Sequence, residues 1–95
     1  MIDTGGTIAN AADALMADGA AGVVIAATHA ILSDPAVDRL KNSPATEIIV
    51  TNTLPLAPDR EFDKLTCLSI APLISRAIKE VFEDGSVTSM FDGHA

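Results

Sequence analysis

The apolar run Gly22-Val23-Val24-Ile25-Ala26-Ala27 constrains the fold more than any other segment. It is of strand length and carries no polar side chain on either face, which suits a strand buried in a parallel sheet between helical layers. The segment before it has a different period. From Thr7 to Asp18, Ile8, Ala11, Ala12, Leu15 and Met16 recur at helical spacing, with Asn10, Asp13 and Asp18 turned outward and Gly19 placed to end the helix. Helix followed by buried strand is the second half of a βαβ unit. The first strand of that unit is expected upstream of Met1.

The remaining chain repeats the alternation. Thr28 to Ser33 reads as the loop leaving the strand. Asp34-Pro35 supplies an N-cap and a proline at the first helical position, Val37 and Leu40 face inward, and Asn42-Ser43-Pro44 ends a short helix. Glu47 to Thr51 reads as a second strand, Asn52 to Asp63 as an exposed connection, and Leu65 to Ile70 as a third strand holding Cys67. Pro72 opens a longer helix whose Leu73, Ile74, Ala77, Ile78, Val81 and Phe82 form one apolar face, while Arg76, Lys79, Glu80 and Glu83 face water. Gly85 stops it, and residues 86–95 form a tail. The fold class is α/β, a parallel sheet with flanking helices.

Composition limits the function. Ninety-five residues make one small domain with an aliphatic core: 48% of the chain is apolar, yet it holds three Phe and no Trp or Tyr. A formal charge of −7 repels nucleic acid and anionic membranes. The longest apolar stretch, Ala20 to Ala27, is far too short to span a bilayer. The lone Cys67 excludes an internal disulfide and, inside an apolar strand, reads as an inert buried thiol. The expectation is a soluble, cytoplasmic protein.

Chemistry concentrates at the start. In Asp3-Thr4-Gly5-Gly6-Thr7, two glycines between two threonines open a helix. Backbone N–H groups at a helix N-terminus, with no Cβ to block close approach, suit a phosphate. With a net negative chain, amides and hydroxyls must do most of that holding. The same residues also fit a plain strand-to-helix turn in which Thr7 caps the helix. Asp3-Thr4-Gly5 resembles the catalytic turn of aspartic proteases, but those are all-β and a helix follows here. Thr4-Gly5-Gly6-Thr7-Ile8-Ala9 resembles the nucleophile segment of asparaginases, yet that family's second motif, with its Gly-Thr-Asp core, occurs nowhere in the chain. His29, after a buried strand, has no partner at catalytic or metal-ligand spacing and reads as a structural, hydrogen-bonded histidine.

Five segments in order carry a more specific resemblance: Met1 to Thr7, Ala27 to Ser33, Val50 to Pro55, Leu68 to Ile74, and Gly85 to Phe91. Together they resemble the C-terminal part of ribose-phosphate diphosphokinase, over nearly the whole chain except Asp92 to Ala95. That resemblance implies a truncated phosphoribosyltransferase-like parallel-sheet domain without its first strand. It assigns Asp3, Thr4, Gly5, Gly6 and Thr7 to the 5-phosphate of ribose 5-phosphate. Asp3, a carboxylate, would brace the loop through backbone N–H groups or face the sugar. Ser86, Thr88 and Phe91 match a regulatory nucleotide and phosphate site, with Thr88 in place of a serine. Alternatively, they form a frayed end whose Phe91 packs on a neighbouring subunit.

The family activity so implied is transfer of pyrophosphate from ATP to ribose 5-phosphate, with Mg²⁺, in a homo-oligomer. ATP, the metal ligands and a cationic loop are expected in an absent N-terminal half, so this chain alone should be inactive. It should also be marginally stable or self-associating. A non-catalytic ribose-phosphate-binding or regulatory subunit is the alternative, and an asparaginase-like amidohydrolase a distant third.

Overall fold

A computed structural model describes residues 1–83 and Gly85. Three strands form one parallel sheet in the order β1-β2-β3: β1 is Val24–His29, β2 Glu47–Thr51 and β3 Leu65–Leu68. Helix α1, Gly6–Ala17, precedes β1; α2, Ala36–Asn42, joins β1 to β2; α3, Ala71–Phe82, follows β3. A 3-10 turn, Pro58–Arg60, interrupts the β2–β3 connection.

The core lies on one side of the sheet. Ile25 pairs with Ile48 and Ala27 with Val50, so these side chains share a face, as alternation along a strand requires. Ile25, Ile48 and Val50 are buried there in one cluster with Ala12 of α1, Ala36 and Leu40 of α2, and Leu32 of the loop between β1 and α2. The α2 end is held by Lys64, whose ammonium donates to the carbonyls of Lys41 at 2.9 Å and Ser43 at 3.0 Å. A cation on the last carbonyls also complements the negative end of the helix. Gly19 ends α1 as its position suggests: φ is 100°, its N–H reaches Met16 O, and Ala20 N–H reaches Leu15 O. That double closure is a Schellman cap.

The opposite sheet face is open. Val24 is 57% exposed, and Ala26 and Leu68 are exposed as well. The expected burial of the first apolar run on both faces therefore holds for one face only. β1 also starts later and runs further than its apolar residues, because Thr28 and His29 still follow β2, His29 opposite Thr51. β3 stops at Leu68; Ile70 N–H turns instead to Asn52 Oδ1 at 2.8 Å, leading into α3.

Three further expectations are corrected. Helix α2 begins at Ala36, with Pro35 rather than Asp34 at the N-cap and no side-chain cap bond. The Asp34 carboxylate is taken by Arg60, whose guanidinium holds it below the ordinary carboxylate value, chiefly by hydrogen bonding and then by charge. Helix α3 is amphipathic as read, but none of its residues is buried, and Ile78, Val81 and Phe82 all face outward. The stripe is present in the sequence, but nothing among the described residues covers it. Cys67 is likewise exposed rather than buried, because β3 is a short edge strand. Ser86, Thr88, Phe91 and the rest of the 86–95 tail lie outside the described residues. No helix among those described is long and apolar enough to cross a membrane.

Candidate functional site

The site begins with the anchoring of Ile2. Its N–H donates to His29 O at 3.0 Å, and its carbonyl accepts from Ile31 N–H at 3.0 Å and Leu32 N–H at 3.1 Å. Ile2 is buried, so the chain enters the loop from a fixed point at the end of β1. Ligand crevices of parallel sheets form outside that carboxyl end.

From there the backbone turns sharply into α1. Gly5 is the N-cap, in the left-handed region at φ 79°, ψ −4°. A Cβ at Gly5 would stand 3.4 Å from Ala36 Cα and 3.5 Å from Ala36 O, so the turn presses against the start of α2. The first intrahelical bond runs from Ala9 N–H to Gly5 O at 3.0 Å, and no side chain caps the helix. The N–H groups of Gly6, Thr7 and Ile8 therefore precede the helical ladder, at the end where the dipole is positive. Thr7 lies inside the helix, so the plain-turn reading with Thr7 as cap does not describe this loop.

A concavity of about 260 Å³ opens over the turn, lined by Met1, Ile2, Asp3, Thr4, Gly5, Thr7 and Ile8. Four of the five residues assigned from the sequence thus share one surface, with Asp3, Thr4 and Thr7 exposed. Gly6 faces the adjoining groove between α1 and α2, which Asn10, Asp38, Arg39 and Asn42 also line. Beside the apolar side chains of Met1, Ile2 and Ile8, the concavity presents the Thr4 and Thr7 side chains and the Asp3 carboxylate.

Asp3 has a different support from the one expected. Its carboxylate accepts from the Ser33 hydroxyl, a side chain thirty residues on, and not from backbone N–H groups. The Thr4 carbonyl accepts from Arg39 Nη1 at 3.2 Å. Sequence reading assigned no role to Ser33 or Arg39. Both come from the segment after β1, and only the fold brings them to the loop. Ser33 lies within one of the five segments quoted for the family resemblance, the one signal that pointed its way.

The described residues do not form a magnesium site by themselves. Asp3 is the sole carboxylate lining the concavity, and Ser33 already donates to it. His29 is hydrogen-bonded as expected, Nδ1 to Thr53 Oγ1 at 2.7 Å, but sits exposed. Thr53 and Thr51 hydroxyls both reach the Thr28 carbonyl, at 3.2 Å and 2.6 Å, tying the ends of β1 and β2 together.

Comparison with known proteins shows the family. The family described as phosphoribosyl synthetase-associated domain matches residues 1–92. A ribose-phosphate pyrophosphokinase of Streptomyces coelicolor is 66% identical over 92 residues, covering 97% of this chain and 28% of the relative. One from Mycobacterium tuberculosis strain H37Rv is 61% identical over 95 residues, covering 100% of this chain and 29% of the relative. The crystal structure of phosphoribosylpyrophosphate synthetase from Mycobacterium smegmatis superimposes with a TM-score of 0.85 at 60% identity, over 90% of this chain and 28% of that one. The chain spans less than a third of the length of these relatives. The narrower expectation, that it forms the C-terminal part of such an enzyme, does not stand on these matches; they establish the family and the share covered.

Proposed function

The chain belongs to the phosphoribosyl synthetase-associated family, and on that premise we propose that it supplies the ribose 5-phosphate cradle of a ribose-phosphate pyrophosphokinase. The parent reaction is transfer of pyrophosphate from ATP to ribose 5-phosphate, giving phosphoribosyl pyrophosphate. One observation carries the reading: uncapped N–H groups at the start of α1 border a concavity lined by Asp3, Thr4, Gly5 and Thr7. Those N–H groups and the two threonine hydroxyls would hold the 5-phosphate, while Asp3, fixed by Ser33, faces the sugar side. Magnesium, when bound to a complete enzyme, neutralises phosphate charge during transfer. This chain's share is to bind and orient the acceptor.

Positioning and charge neutralisation dominate such transfers, so a chain that supplies the acceptor cradle alone should not turn over. The test is titration of the ¹⁵N-labelled chain with ribose 5-phosphate, and with ribose as control. Amide resonances of Gly5, Gly6 and Thr7 should shift with the phosphate ester only. No shift, or an equal response to ribose, overturns the cradle. Formation of phosphoribosyl pyrophosphate by the chain alone would overturn its assignment as a purely binding piece.

A further inference from the structure

The side of the phosphate loop turned away from the concavity rests on α2, through two contacts. Gly5 lies against Ala36, and Gly6 lies against Arg39: a Cβ on Gly6 would meet Arg39 Nη1 at 2.9 Å. The absence of a Cβ at Gly6 lets the guanidinium approach the loop this closely. From that position Arg39 donates to the Thr4 carbonyl at 3.2 Å, thirty-five residues away in sequence. Among the described residues Arg39 has no ion-pair partner, and the hydrogen bond its guanidinium makes there is to the loop.

The Thr4 carbonyl and the Gly5 N–H belong to one planar trans peptide unit, in which C=O and N–H point in opposite directions. A donor that fixes the carbonyl on the α2 side aims the N–H to the other side. We propose that Arg39 is a positioning residue of the phosphate cradle, holding the Thr4–Gly5 peptide so that the Gly5 N–H faces the concavity. The inference rests on the cradle reading above and deepens it. Arg39 acts through the Thr4 carbonyl and not as a direct ligand, since it lines the groove on the far side of the loop and not the concavity.

A planar guanidinium offers several donors in a rigid fork, whereas a lysine ammonium offers charge on a flexible stem. Arg39→Gln removes the charge and shortens the reach, and Arg39→Lys keeps the charge without the fork. Both replace an exposed side chain, so the fold should survive them.

Each variant of the 95-residue chain is followed by amide spectra, free and with ribose 5-phosphate, and by urea unfolding. Arg39→Gln should move the Gly5 resonance in the ligand-free chain, change the unfolding midpoint no more than an exposed substitution does, and weaken ribose 5-phosphate about tenfold, the range expected when the Gly5 amide loses one hydrogen bond to a charged phosphate. Arg39→Lys should recover only part of that loss. An unmoved Gly5 resonance with unchanged affinity in Arg39→Gln overturns the inference and leaves the cradle intact. Full recovery in Arg39→Lys also overturns it, since charge alone would then suffice. If the unsubstituted chain shows no response to ribose 5-phosphate, the cradle reading falls and this inference falls with it.

Discussion

Gly5 is where the loop's chemistry and its geometry meet. A left-handed φ of 79° costs an L-residue about 1–2 kcal/mol, while a methyl at Gly5 would meet Ala36 only at contact distance, 3.4 Å from its Cα. Gly5→Ala should therefore lower stability by about that amount and abolish the amide response to ribose 5-phosphate, as read by urea unfolding and ¹⁵N spectra. Unchanged stability would mean that the turn adopts another conformation in solution. The turn was legible in the sequence as two adjacent glycines opening a helix, although Thr-Gly-Gly-Thr alone also fitted other readings. Which neighbours the loop rests on was not. Ala36, Arg39 and Ser33 lie about thirty residues from the groups they support, and no local pattern marks a long-range contact of that kind.

At the scale of elements, β2 was legible to the residue, since Ile48-Ile49-Val50 is a short, β-branched run with Glu47 and Thr51 at its ends. α1 was also placed to within a residue, by its period and by Gly19. Burial was less legible. Periodicity gives a helix its apolar face but says nothing of what covers that face, and α2 and α3 differ in that respect. Leu40 of α2 is 0% exposed and Ile78 of α3 is 62% exposed. Leu40→Ala should cost about 2–5 kcal/mol in urea unfolding, as cavity formation in a packed core requires. Ile78→Ser should stay within about 0.5 kcal/mol, as exposed substitutions do. A large loss from Ile78→Ser would show that α3 packs against the sheet in solution. The same reasoning explains Cys67: an apolar neighbourhood in sequence suggested burial, and an edge position in space denied it.

At the scale of the molecule, two opposed forces act between copies of the chain. The formal charge of −7 keeps copies apart. The apolar stripe of α3 and the open sheet face bring them together, with Phe82 88% exposed on the helix and Val24 of β1 and Leu68 of β3 exposed on the sheet. Clustered exposed apolar side chains of this kind mark surfaces that associate. Repulsion between like-charged copies is screened by salt, whereas apolar burial is not weakened by it. The 95-residue chain should therefore self-associate with rising concentration, and more strongly at 1 M than at ~0.01 M salt, where the Debye length falls from about 30 Å to about 3 Å. Sedimentation velocity across that range measures it, and Phe82→Glu together with Ile78→Glu should return the chain toward monomer by placing charge on the stripe. A chain that stays monomeric at every concentration and salt, and unfolds in one sharp reversible step, would mean that the stripe is already covered within a single copy. Salt-strengthened association that the glutamates leave untouched would instead assign the contact to the open sheet face. The stripe and the sheet face are thus separable by one pair of substitutions, because α3 carries the first and the strands carry the second.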